Sequence, residues 1–124
     1  LPLSKETRGL FDSAKLAQMK PDSVLINVGR GHIIDEESLY KALVDETIGG
    51  AVIDVWYGYP TPNNPERSPW NFPFNELDNI VMTPHNSALS DDMHDRRWRF
   101  IAGNLDRFSR GEPLHNICFE GTAA

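Results

Sequence analysis

The stretch that most constrains this chain is Val24-Leu25-Ile26-Asn27-Val28-Gly29-Arg30-Gly31. A short apolar run, rich in β-branched residues, stops at Gly-Arg-Gly, and Asp35-Glu36-Glu37 follows. Such a run reads as a strand buried on both faces. The flanking glycines let the backbone approach something closely or turn at positive φ. An arginine at the end of a buried strand, with little bulk around it, suits bidentate binding of an anion. An ordinary surface arginine in a strand-to-helix turn is the competing reading.

Two further apolar runs share this character. Ala51-Val52-Ile53-Asp54-Val55-Trp56 contains a carboxylate, and Ile80-Val81-Met82-Thr83 ends in Pro84-His85. Helices are expected between and around them. Asp12 can cap a short helix to about Met19, with Leu16 and Met19 inward, before Lys20-Pro21-Asp22-Ser23 turns the chain. Asp35 can cap the next helix, whose Leu39, Ala42 and Leu43 recur at helical spacing. Ser90 to Arg110 reads as one long helix with an apolar seam of Trp98, Ile101, Leu105 and Phe108, ended by Gly111 and Pro113. The 57–79 loop holds most of the prolines and the aromatics Trp70, Phe72 and Phe74, so it should be ordered and packed. Thr122 to Ala124 reads as a loose tail. The class is α/β, a parallel sheet of three main strands with flanking helices on both faces and a long C-terminal helix.

With 124 residues, the chain holds about one small domain. It begins at Leu1 inside what reads as the end of a strand, which suggests a piece of a longer protein. A net charge of −6 argues against a nucleic-acid partner. The basic cluster Arg96-Arg97-Trp98-Arg99 sits beside Asp91, Asp92 and Asp95 and reads as a solvated or partner-facing helix face. No apolar run is long enough for a membrane span. The lone Cys118 excludes an internal disulfide and fits a reducing, cytoplasmic setting. His32, His94 and His115 have no partner at metal-ligand spacing, so no metal is expected.

Parallel sheets bind ligands at the carboxyl ends of their strands. Arg30, Asp54 and His85 each stand at or near such an end. Together they can bind an anion and move a proton.

At this point the motifs carry a resemblance. The 24–31 stretch, the segment from Asp54 to Pro60 and Thr83-Pro84-His85 resemble the D-isomer-specific 2-hydroxyacid dehydrogenases, from Leu1-Pro2-Leu3 through Gly111-Glu112-Pro113. The resemblance implies a partial Rossmann-like fold. Residues 1–86 would be the C-terminal half of an NAD(P)-binding domain, and 87–124 a crossover helix and tail returning toward a substrate domain outside this chain. It implies hydride transfer between NAD, with NADP also open, and a D-2-hydroxy or 2-oxo acid. Arg30 would hold the substrate carboxylate and polarise its carbonyl. His85 would be the acid/base, as a histidine whose free pKa lies near neutrality can be. Asp54 would contact the nicotinamide side, and Pro2, Thr7, Val28, Gly29 and Arg30 would touch the cofactor. The full-length protein would be a homodimer, and the long helix would bury its seam against residues outside this chain.

Two departures stand out. The G-x-G-x-x-G phosphate loop and the acidic ribose reader are absent; the resemblance places both upstream, along with the half that would cover the exposed sheet flank. And the catalytic glutamate expected five positions after the aspartate is Tyr59. Tyr59 would orient His85 by a hydrogen bond without supplying full negative charge; packing against Trp56, Tyr57 or Trp70 is the competing reading. Two other functions stay open: a non-catalytic dinucleotide-binding regulator on the same scaffold, and a dehydrogenase for another carboxylate such as formate.

Overall fold

Asp12 accepts a hydrogen bond from the Lys15 backbone N–H at 2.9 Å and starts α1 (Ser13–Leu16), which buries Leu16 completely. In this computed structural model, which describes residues 1–118, the chain then enters β1 (Val24–Asn27). A 3₁₀ turn over Gly31–Ile33 leads to α2 (Glu36–Val44). Asp35 caps α2 by accepting from both the backbone N–H and the hydroxyl of Ser38, at 2.9 and 2.6 Å. A cap of this kind contributes about 1 kcal/mol. Then come β2 (Gly50–Ile53), a second 3₁₀ turn over Phe74–Glu76, and β3 (Ile80–Met82).

The strands form a parallel sheet in the order β1-β2-β3. Leu25, Ala51 and Ile80 stand side by side in register, as do Ile26, Val52 and Val81. The first row faces the helices. Leu16, Leu39 and Leu43 pack there with Ala51 and Ile53 into one core. Each such side chain, fully buried, contributes about 1.5–3 kcal/mol. The 57–79 loop joins this core rather than leaving it. Phe74 is fully buried, Trp70 lies 4.9 Å from Trp56 ring to ring, and Phe72 stacks on Tyr40.

The second row departs from the expectation of a sheet covered on both faces. Ile26 is 65% exposed, and Val24 and Val81 are exposed as well. The cause is the handedness of the connections. A β-α-β crossover is right-handed, so α2 falls on one face only, and α1 packs beside it.

The chain divides into two compact units, Leu1–Ala88 and a second beginning at Leu89. The second is built on α3 (Met93–Ser109). Gly111, at φ +67°, ends it: its N–H reaches the Phe108 carbonyl while the Glu112 N–H reaches that of Arg107. Asn104 holds the exit segment by paired hydrogen bonds to the backbone of His115. The expected seam is uncovered, with Trp98 at 65% and Phe108 at 74% exposure. The tail from Thr122 to Ala124 lies outside the described residues.

Candidate active site

The turn after β1 is shaped by Asn27. Its side chain is buried, accepts from the Gly29 N–H and donates to the Arg30 carbonyl, each at 3.1 Å. This local bridge replaces the ladder the strand has just left. The sequence reading passed over Asn27, although an asparagine two residues before a glycine is the pattern for such a turn. Neither flanking glycine is at positive φ. Gly31 is there for close approach, since a Cβ on it would lie 2.4 Å from the Trp56 carbonyl oxygen. At Gly29 the nearest atoms would stand at 3.6 Å, an ordinary contact. Arg30 sits in extended backbone, and its Nη1 donates to the Gly29 carbonyl at 2.7 Å.

Asp54, one residue past β2, is 1% exposed. One carboxylate oxygen accepts from the Thr83 hydroxyl at 2.6 Å and the Asn86 N–H at 2.9 Å. The other accepts from the Ser87 N–H at 3.1 Å and its hydroxyl at 2.5 Å. The Ser87 and Thr83 hydroxyls hold the carboxyl well below the usual carboxylate range, against the opposing effect of burial. With two donors on each oxygen its acceptor capacity is filled within the chain. Asp54 therefore holds the turn after β3.

That turn carries His85 at φ +60°, a left-handed conformation that only a few non-glycine residues adopt. Asp54 pulls in the residues on both sides of it, so the conformation is imposed from outside. The Trp56 indole N–H adds a tie to the Thr83 carbonyl at 2.9 Å. Tyr59 Oη lies 3.1 Å from His85 Nδ1 and accepts from the Trp56 backbone N–H at 3.0 Å. The tyrosine thus meets the imidazole instead of packing away from it.

Arg30, Tyr59 and His85 line one open cleft of about 470 Å³ at the carboxyl ends of the strands. Val28 and Gly29 line a separate, uncharged groove of about 280 Å³ beside Leu1. Thr7 closes its own loop, donating to the Pro2 carbonyl at 2.8 Å and accepting from the Ser4 N–H at 2.7 Å. One further residue of the cleft, Arg67, was not singled out from the sequence. Among the described residues no three His, Cys, Asp or Glu side chains gather as a metal site, and no helix is long and apolar enough to cross a membrane.

Residues 1–87 match the family model described as D-isomer specific 2-hydroxyacid dehydrogenase, NAD binding domain. The chain belongs to this family. It is 35% identical over 117 residues to a glyoxylate reductase of Korarchaeum cryptofilum, covering 94% of this chain and 33% of that protein. It is also 35% identical over 126 residues to the mitochondrial formate dehydrogenase of Hordeum vulgare, covering 99% of this chain and 32% of that one. Among solved structures, a D-isomer specific 2-hydroxyacid dehydrogenase from Xanthobacter autotrophicus Py2, in complex with NADPH and MES, superposes with a TM-score of 0.72 at 34% identity. That match covers 94% of this chain and 44% of the other. The chain spans about a third of the length of the first curated relatives it matches. The three-stranded parallel sheet with its helices is the Rossmann-like fold of these dehydrogenases.

Proposed function

We propose that the protein containing this chain is an NAD(P)-dependent oxidoreductase that interconverts a 2-oxo acid and a D-2-hydroxy acid. The observation that carries this reading is the shared cleft of Arg30, Tyr59 and His85. Arg30 supplies a planar fork for the substrate carboxylate and a positive charge near the carbonyl. His85 supplies the proton. In reduction the imidazolium gives its Nε2 proton to the carbonyl oxygen as the carbonyl carbon takes the hydride, and the ring is left neutral with a proton on Nδ1. Oxidation reverses both transfers. The dinucleotide, when bound, supplies or accepts the hydride. The uncharged groove at Val28 and Gly29 fits a flat ring such as nicotinamide, because no ionic side chain lines it.

Tyr59 suits either state of His85. One of its lone pairs takes the Trp56 N–H, and the second is free for an Nδ1–H. It orients the ring but adds no negative charge. In the full-length protein, Tyr59→Glu should move the alkaline limb of reduction upward by about one pH unit, because a carboxylate favours the imidazolium. An unmoved limb would show that Tyr59 does not address the charge on His85.

The function itself is tested by screening the full-length protein for NADH and NADPH oxidation with a panel of 2-oxo acids. Turnover with at least one, lost on Arg30→Ala through both a higher KM and a lower kcat, is the expected result. Tight NADH binding with no turnover of any acid would instead favour a dinucleotide-binding regulator.

A further inference from the structure

The cleft that holds Arg30 and His85 has a second arginine. Arg67 lines it from the 57–79 loop, as does Thr61, whose hydroxyl accepts from the Asn64 N–H at 3.1 Å. Among the described residues no carboxylate lines the cleft, although the chain as a whole carries a net charge of −6. Glu66, the chain neighbour of Arg67, is not among the lining residues. Among the described residues Arg30 and Arg67 form no ion pair, as is also true of Arg8, Arg97 and Arg99, but of these five only Arg30 and Arg67 line the cleft.

Arg67 does not reach the cleft by chance of a loose loop. The Tyr57 and Gly58 N–H groups both donate to the Pro69 carbonyl, at 3.1 and 3.0 Å, and bring the returning strand of the loop back against its start. At the far end, Thr61 and Asn64 exchange backbone hydrogen bonds at 3.1 and 3.0 Å. Gly58 gives the guanidinium its place: a Cβ there would lie 2.8 Å from Arg67 Nε and 2.7 Å from the Ser68 carbonyl oxygen. One anionic group on the substrate accounts for Arg30 alone. A second unpaired guanidinium in the same cleft calls for a second anion.

We propose that the cleft takes a 2-oxo or 2-hydroxy acid bearing a second anionic group, carboxylate or phosphate, with Arg30 on the 1-carboxylate and Arg67 on the distal anion. This rests on the dehydrogenase reading above and narrows its substrate class. A cleft of about 470 Å³ has room for such a molecule. Arg67 is then the residue that discriminates, since it binds the part of the substrate that does not react.

The test uses matched pairs on the full-length protein. 2-Oxoglutarate is compared with 2-oxovalerate, and 3-phosphohydroxypyruvate with hydroxypyruvate. For at least one pair the dianion should have a kcat/KM about ten- to a hundredfold higher, carried by KM, as a charge-assisted hydrogen bond allows. The pair that shows the preference tells carboxylate from phosphate. Arg67→Met, a folded variant by thermal melt, should bring that ratio close to one, and Arg67→Lys should recover part of it. Equal turnover within both pairs, or a ratio that Arg67→Met leaves in place, overturns the proposal. If no 2-oxo acid is reduced, the dehydrogenase reading falls by itself. The anion site is then read by calorimetric titration of 2-oxoglutarate and 3-phosphohydroxypyruvate against their monoanionic partners. Tighter binding of a dianion that Arg67→Met abolishes supports it, and equal or absent binding overturns it.

Discussion

Replacing His85 by asparagine in the full-length protein should lower kcat for 2-oxo acid reduction about 10²–10⁴-fold, the range that a positioned acid/base supplies. Asparagine is the informative choice. Position 85 sits at φ +60°, which asparagine tolerates and alanine does not. The turn held by Asp54 should therefore survive, and KM should change by much less than kcat. Steady-state rates with NADH or NADPH check this, alongside a thermal melt to show an intact fold. A kcat within threefold of wild type would remove His85 from the chemistry and turn attention to His32, the other imidazole lining the cleft.

The second large effect is on stability. Gly31→Ala places a methyl 2.4 Å from the Trp56 carbonyl oxygen and 2.6 Å from its carbon. Both are backbone atoms that cannot rotate aside, so the β1 turn and the end of β2 must separate. Overpacking of this kind costs about 3 kcal/mol. Gly29→Ala meets its nearest atoms at 3.6 Å and should change stability by less than about 0.5 kcal/mol. Denaturant midpoints of the two variants measure the difference. Equal midpoints would mean that the approach of the Gly31 backbone to Trp56 is not what the glycine serves. The two glycines look equivalent in the sequence, and only the packing separates them.

That contrast marks the limit of reading this chain from its residues. The runs at 24–28, 51–56 and 80–83 read as strands because β-branched residues ended in turn residues; the strands lie at 24–27, 50–53 and 80–82, the second stopping short of Asp54. Asp12 and Asp35 announced two helices because capping is a local pattern. The gathering of Arg30 and His85 followed from topology, since parallel strands present their carboxyl ends on one edge. Saturation of Asp54 by Thr83, Asn86 and Ser87 was not visible, because its donors lie about thirty positions away, as the ladder sets them. Arg67 was hidden for the same reason. Its place depends on one carbonyl, Pro69, closing a loop whose sequence carries no periodicity. The bare row of Ile26 and Val81 escaped notice because an apolar run says that a strand has two apolar faces, not that both are met.

The Pro69 closure has a consequence for how such a protein can change. The excursion from Pro60 to Ser68, beyond the Tyr59 that holds the imidazole, leaves the body and returns to it at a fixed gate of two hydrogen bonds on one acceptor. Beyond that gate its length and composition can drift at little entropic cost, since closing a longer loop adds only about 0.6 kcal/mol per doubling. His85 and its Asp54 anchor lie on the other side of the gate. The residue proposed to select the substrate, Arg67, and the one proposed to move the proton, His85, thereby stand on separate pieces of chain. New substrates can be tried by rewriting the excursion, with the proton donor left as it stands.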